Sequence, residues 1–174
     1  MTATLEERFN GALTKWKQHC RSKSHFSFAQ PYLDSEAYKE IVSIGVSSLP
    51  LIRDQLNQEI EADERYDNEL KRLKIKVFGT DQVRLFDDNY RKICEDGGYR
   101  DYQRGYDLEI VSNPGQFWAY VVREIVGDNF KIETKEDNTR KVSIAGEFFG
   151  IDVRRVKQLT LKWLNENIQK YLQQ

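Results

Sequence analysis

A mainly α, compact helical bundle is the fold class this sequence predicts, and three observations carry the prediction. Residues 34–60 (DSEAYKEIVSIGVSSLPLIRDQLNQEI) hold two apolar stripes at helical spacing: Ala37, Tyr38, Ile41 and Ile44, then Leu49, Ile52, Leu56 and Ile60. Between the stripes, Gly45 can adopt the left-handed backbone that ends a helix, and Pro50 sits in a first turn, where its missing N–H breaks no bond. The run at 115–127 (GQFWAYVVREIVG) repeats the design, with Phe117, Trp118, Val121, Val122 and Ile125 on a broad apolar face and Gly127 closing it.

The first helix is expected over about residues 5–20. Thr4 and Glu7 have the spacing of a capping box, and Leu5, Phe9, Leu13 and Trp16 follow at helical intervals. Residues 21–33 read as a linker in which Pro31 blocks helix continuation and Phe26, Phe28 and Tyr32 tuck against the bundle. Asp34 or Ser35 caps the next helix, and Ser48 is the expected cap of the one after. From residue 61 the chain becomes charge-rich, with Tyr66, Leu70 and Leu73 as a thin apolar edge up to Gly79.

A short helix is expected over 81–94, with Val83, Phe86, Tyr90 and Ile93 on one side. The glycine-rich segment after it, EDGGYRDYQRGYD, reads as a loop. Asn113-Pro114-Gly115 is a turn that opens the second apolar run, which should be the most buried helix. Residues 130–144 alternate apolar and polar side chains around the turn-prone EDNT, the pattern of a small β-hairpin. Asp152 then caps a last helix with Val153, Val156, Leu159, Trp163 and Leu172 inward and Arg154, Arg155, Lys157, Lys162 and Lys170 on a basic outer face.

At 174 residues the chain is expected to be a single domain (1–174), with 62–111 as a charged, Tyr/Arg-rich insertion. A net charge of −1 removes the polycationic signature of a dedicated nucleic-acid binder. Cys20 and Cys94 are too few and too far apart for a disulfide scaffold, which suits a reducing cytoplasm. No apolar run approaches a membrane span, and MTATLEERF lacks the charged start and apolar middle of an export signal.

The corner around Gly45, with Leu49, Pro50, Leu51 and Ile52 after it, resembles the turn and second helix of a HEAT-type repeat. More broadly, three ordered blocks cover about half the chain: AYKEIVSIGVSSLPLIRDQL, GQFWAYVVREIVGD and LTLKWLNENIQKYL. They resemble small bacterial, cyanobacterial-type helical proteins of unknown function, whose outline runs AYQxIIGMGxxALPLILREL, WFWALxxITGxxPV, AWLxWG. The matching positions are Ala37-Tyr38, Gly45 and Leu49-Pro50-Leu51-Ile52, then Phe117-Trp118-Ala119 and Gly127, then Trp163-Leu164. Two features depart from the outline: the insertion at 62–111, and Asn165-Glu166 in place of the terminal tryptophan-glycine. The resemblance implies an all-helical bacterial domain, and it transfers no activity.

His19, Cys20 and His25 lie close in sequence, but adjacent helical residues point about 100° apart and a fourth ligand is missing, so no metal site is expected. Cys94 has no flanking pattern of a nucleophile. The pairs Asp87-Asp88 and Glu95-Asp96 read as solvated faces, since catalytic carboxylates must converge in a cleft. Gly97, Gly98 and Gly105 lack the strand, helix and lysine of a phosphate loop. No catalytic residue, cofactor or metal ligand is therefore assigned.

The candidate partner-binding residues are Tyr99, Arg100, Tyr102, Arg104 and Tyr106, which mix aromatic and basic groups, and Arg154 and Arg155 of the last helix. The expected function is a noncatalytic protein-interaction module, an accessory or antitoxin/defence-type subunit. A nucleic-acid-binding accessory or regulator is the first alternative. An enzyme with a site built from unremarkable residues is the second. The sequence points to no oligomeric state.

Overall fold

Thr4 accepts a hydrogen bond from the Glu7 N–H (3.2 Å) while Glu7 accepts one from the Thr4 N–H (2.8 Å), so the predicted capping box starts the first helix. The computed structural model describes residues 2–26, 28–85, 87–99, 113–132 and 153–173. Helix α1 is Leu5–Ser22, and its buried Phe9, Ala12, Leu13, Trp16 and Cys20 recur at three- and four-residue steps. The expected linker contains a short helix, α2 (Gln30–Leu33), because Pro31 lies in its first turn, where it is tolerated. Phe26 packs on the core as anticipated, whereas Phe28 is half exposed.

Helix α3 (Glu36–Ile44) is capped by Ser35, whose hydroxyl accepts from the Ala37 N–H at 3.2 Å. Gly45 ends it with φ +74° and leads through a 3₁₀ turn, Gly45–Ser48, into α4 (Leu49–Phe78). Ser48 does not play the expected capping part: its hydroxyl donates back to the Gly45 carbonyl at 2.7 Å. A second 3₁₀ turn, Gly115–Phe117, opens α6 (Trp118–Val126), which follows α5 (Asp87–Asp96) in chain order. Six of the nine α6 residues are buried, and Gly127 closes it at φ +70°.

The last helix, α7 (Val153–Leu172), buries Val156, Lys157, Thr160, Trp163, Leu164 and Ile168. This corrects the expected faces. Val153 and Leu172 are exposed, and Lys157 points inward at 6% exposure instead of joining a basic outer face. The true inner stripe follows the three- and four-residue steps from Val156, which places 160, 163 and 164 inside.

The chain, read from its length as one domain, divides into two compact units: Met1–Ile60 with Ser112–Gln174, and Glu61–Val111. In the first, α1 packs on α3, α3 on α6, and α7 on both α6 and the Gly115–Phe117 turn. Its core is aromatic at the centre. Trp118 meets Trp16 edge-on at 5.2 Å and stacks with Phe9 at 6.1 Å, while Tyr32 stacks on Phe117 at 4.5 Å. Phe130 and Ile132 are buried in this core, but residues 133–144 of the expected β-hairpin lie outside the described residues.

The second unit has its own small core of Leu73, Ile93, Cys94 and Tyr99, with Tyr66, Leu70, Val77, Phe78 and Leu85 against it. Its helix α5 begins at Asp87, six residues later than the sequence pattern suggests. Gly79 ends α4 at φ +75°, and the Thr80 hydroxyl then accepts from the Gln82 N–H (3.1 Å), a local turn that competes with helix. Tyr90 of the expected apolar side is exposed, and Phe86 lies outside the described residues.

Every regular element among the described residues is helical, and none is long and apolar enough to cross a membrane. The glycines divide into structural and replaceable ones. A Cβ on Gly45 meets nothing within 4 Å, so its φ alone penalises substitution, whereas Gly11 lies in open space inside α1. Gly45→Ala should destabilise by about 1–2 kcal/mol and Gly11→Ala should stabilise by about 0.5–1 kcal/mol in urea unfolding.

Candidate functional site

Helix α4 carries a carboxylate on its inner face. Counting from Leu49 in alternating steps of three and four gives Ile52, Leu56 and then Glu59, which is only 2% exposed. Ile60, the residue expected to continue the stripe, is half-buried instead. The Glu59 carboxylate is held by both oxygens. Oε1 accepts from the Gly115 backbone N–H at 3.0 Å, and Oε2 accepts from Trp118 Nε1 at 2.7 Å.

Each donor needs this acceptor. The Gly115 N–H lies at the start of a 3₁₀ turn, where no earlier helical carbonyl is in place to receive it, and Gly115 is buried. The Trp118 ring is fully buried, so its indole N–H must find a partner inside the protein. Trp16 solves the same problem differently, by donating to the Tyr32 carbonyl at 3.0 Å.

Burial dominates the electrostatics. It raises the Glu59 carboxyl from its usual 4.5 to about 7, against the downward pull of Lys157, the two donors Gly115 and Trp118, and Lys17. Cys20, buried on α1, is pushed up to about 12, first by burial and then by the Glu59 charge, so it stays a thiol. Two further polar atoms here are buried without a hydrogen-bond partner among the described residues, Gln116 Oε1 and Arg155 Nε. Both belong to elements that pack together, the Gly115–Phe117 turn and α7.

A carboxyl group that titrates near neutrality suits proton transfer. Both Glu59 oxygens, however, are already engaged by protein donors, which suits a role in holding the fold. Among the described residues, no group of three or more His, Cys, Asp or Glu side chains could hold a metal ion.

The residues singled out from sequence fare unevenly. Tyr99 is fully buried, its hydroxyl hydrogen-bonded to that of Tyr66 inside the second core, so it is a packing residue there. Arg100, Tyr102, Arg104 and Tyr106 lie outside the described residues. Arg154 and Arg155 are half-buried on α7 in the first unit, whereas Tyr99 belongs to the second. His19 is bonded to the Pro31 carbonyl at 2.7 Å and His25 lies against the Phe26 ring, which accounts for both imidazoles.

Glu59 and Gln116 escaped the sequence reading, and the sequence pattern assigns Lys157 to the outer face of the last helix. The available signal was the α4 stripe itself, which runs straight through Glu59 when the three-four alternation is kept. Comparison with family models, curated proteins and solved structures yields no match.

Glu59 imposes a definite pH dependence. Its folded-state value lies above its unfolded one, so its contribution to stability is complete below pH 4.5, declines as pH rises and is gone above about 7. The change amounts to about 3 kcal/mol. Urea unfolding of wild type and Glu59→Gln at about pH 5 and pH 8 should show this component in wild type and its loss in the variant. The variant should itself cost about 1–3 kcal/mol, because an amide offers one acceptor oxygen to two donors.

Proposed function

We propose that this chain is a noncatalytic protein-interaction module, a cytoplasmic accessory or antitoxin/defence-type subunit of a bacterial system, and that the Glu61–Val111 unit carries its partner-binding surface. One observation carries the reading. This unit leaves Ile75 on α4 47% exposed and Tyr90 on α5 36% exposed, while its core buries few large apolar side chains. Exposed aliphatic and aromatic side chains among charged neighbours are the material of binding hot spots. Lys71, Arg72, Lys76, Arg91 and Lys92 supply such neighbours on the same two helices. The segment with Arg100, Tyr102, Arg104 and Tyr106 belongs to the same unit and adds residue types favoured at interfaces.

The resemblance to small bacterial helical proteins supports a bacterial, all-helical domain and a HEAT-like use of the α3–α4 corner as scaffold. A nucleic-acid-binding role draws less support. It rests on the basic face of the last helix and on the 99–106 segment; Lys157 has left that face for the core, and Tyr99 of that segment is buried.

The test places a photo-crosslinking residue at position 75 or 90 of the full chain, in the cells that make it. Both positions should capture the same protein. Ile75→Glu with Tyr90→Glu should then weaken its binding at least tenfold by calorimetry, whereas Leu5→Glu, also at an exposed apolar site in the first unit, should leave it unchanged. Equal affinity for all three proteins would rule out this surface.

A further inference from the structure

Asp and Glu make up 28 of the 174 residues, yet none lies between Phe9 and Leu33, a stretch in which chance would place about four. Its charges are Lys15, Lys17, Arg21 and Lys23, and both histidines of the chain lie there too. The second half of α1 and the loop after it are therefore locally basic in a chain whose net charge is −1. Among the described residues, Lys17, Arg21 and Lys23 take part in no ion pair.

The same loop displays aromatic rings. Phe28 is 50% exposed, more than any other large apolar side chain among the described residues. Its ring meets Phe26 edge-on at 5.6 Å. Phe26 in turn lies against the ring of the exposed His25 at 4.2 Å, with the Lys23 ammonium over it at 5.9 Å. Arg21 is exposed in the last turn of α1, and the half-buried Lys17 lies one turn before it on the same side. Hydrogen bonds hold this arrangement in place. The Phe26 N–H donates to the Lys23 carbonyl at 2.9 Å, and the Tyr32 hydroxyl donates to the Phe26 carbonyl at 2.9 Å. His19 is tied to the Pro31 carbonyl, and Trp16 donates to the Tyr32 carbonyl, so both ends of the loop are fixed to α1. Rings and cations held ready in this way lose little freedom on binding.

We propose that this surface binds single-stranded nucleic acid, with Lys17, Arg21 and Lys23 on the phosphates and Phe28 stacked on an unpaired base. Charge selects a polyanion, and the exposed ring selects among polyanions, because an aromatic face stacks only on a base that no duplex has sequestered. A lipid surface fits less well. Phe26 is packed on the core, which leaves Phe28 as the only ring to enter a bilayer, and a single apolar anchor holds weakly. The site belongs to the first unit and uses neither α7 nor the 99–106 segment, so it stands or falls independently of the protein-partner surface on Glu61–Val111.

Fluorescence anisotropy of the full chain with a labelled oligothymidine of about twelve nucleotides tests the proposal, beside an abasic strand and a duplex of the same length. At about 50 mM salt the single strand should bind, and the logarithm of its affinity should fall against that of salt with a slope of about −2, as three phosphate contacts require. Phe28→Ala should weaken the single strand roughly fivefold to a hundredfold and leave the abasic strand unchanged. Arg21→Gln with Lys23→Gln should weaken both strands and reduce the slope by about 1.4. Phe28 and Arg21 are exposed, so their replacement leaves the core intact, which circular dichroism checks.

Absence of single-strand binding at that salt overturns the proposal. So does equal affinity of the wild type for the abasic strand or the duplex, or wild-type affinity in Phe28→Ala. Tighter binding to polyglutamate or to phosphatidylserine vesicles, at equal concentration of negative charge, also overturns it and assigns the surface to an acidic protein segment or a membrane.

Discussion

Two buried N–H groups share one acceptor, and the first unit is arranged around that fact. The Gly115 amide and the Trp118 indole both donate to Glu59, while the same Trp118 ring is the packing centre for Phe9 and Trp16. Polar and apolar requirements thus converge on one side chain. Without the carboxylate, the indole would be buried with an unmet donor, which costs about 1–3 kcal/mol. Without the indole, α1 and α6 would lose their common aromatic contact.

The architecture was legible where local chemistry decides the outcome. The Thr4–Glu7 capping box, the Ser35 cap, and the closing glycines at 45 and 127 each determine a helix end through the backbone alone. The site was not legible in the same way. Its members sit at positions 59, 115, 118 and 157, and nothing local connects them; only the packing of four elements does. A glutamate on a helix is ordinarily solvated, and a lysine beside two arginines reads as an outer face. The one available clue was periodic. Held strictly from Leu49, the three-four alternation passes through 52, 56, 59, 63, 66, 70, 73 and 77, so that Glu59 and Asp63 interrupt an otherwise apolar or aromatic row. Both are buried.

The misjudged boundaries share a cause as well. Ser48, Thr80 and Pro31 are each residues whose local bonding competes with, or permits, helix according to context. Ser48 donates to the carbonyl behind it, Thr80 accepts from the amide ahead of it, and Pro31 begins a turn of helix where a linker was anticipated. Tyr99 shows the opposite limit. A tyrosine among arginines and aspartates has the composition of a surface, yet the small second core draws it inside, where Tyr66 satisfies its hydroxyl.

Why a carboxylate occupies this position follows from what the alternatives leave behind. A leucine at 59 would match the rest of the stripe and remove the desolvation cost, but it would leave both donors unpaired in the core. Desolvation is therefore offset only in part, by two hydrogen bonds and the nearby Lys157 acting together, and no single member can be exchanged cheaply. The same set specifies register. Sliding α4 by three residues would bring Leu56 opposite two N–H groups that it cannot accept, and sliding it four the other way would bring Asp63, one methylene too short to reach both. The buried glutamate thus adds a polar penalty, beyond packing, to a one-turn slip of α4 in the core.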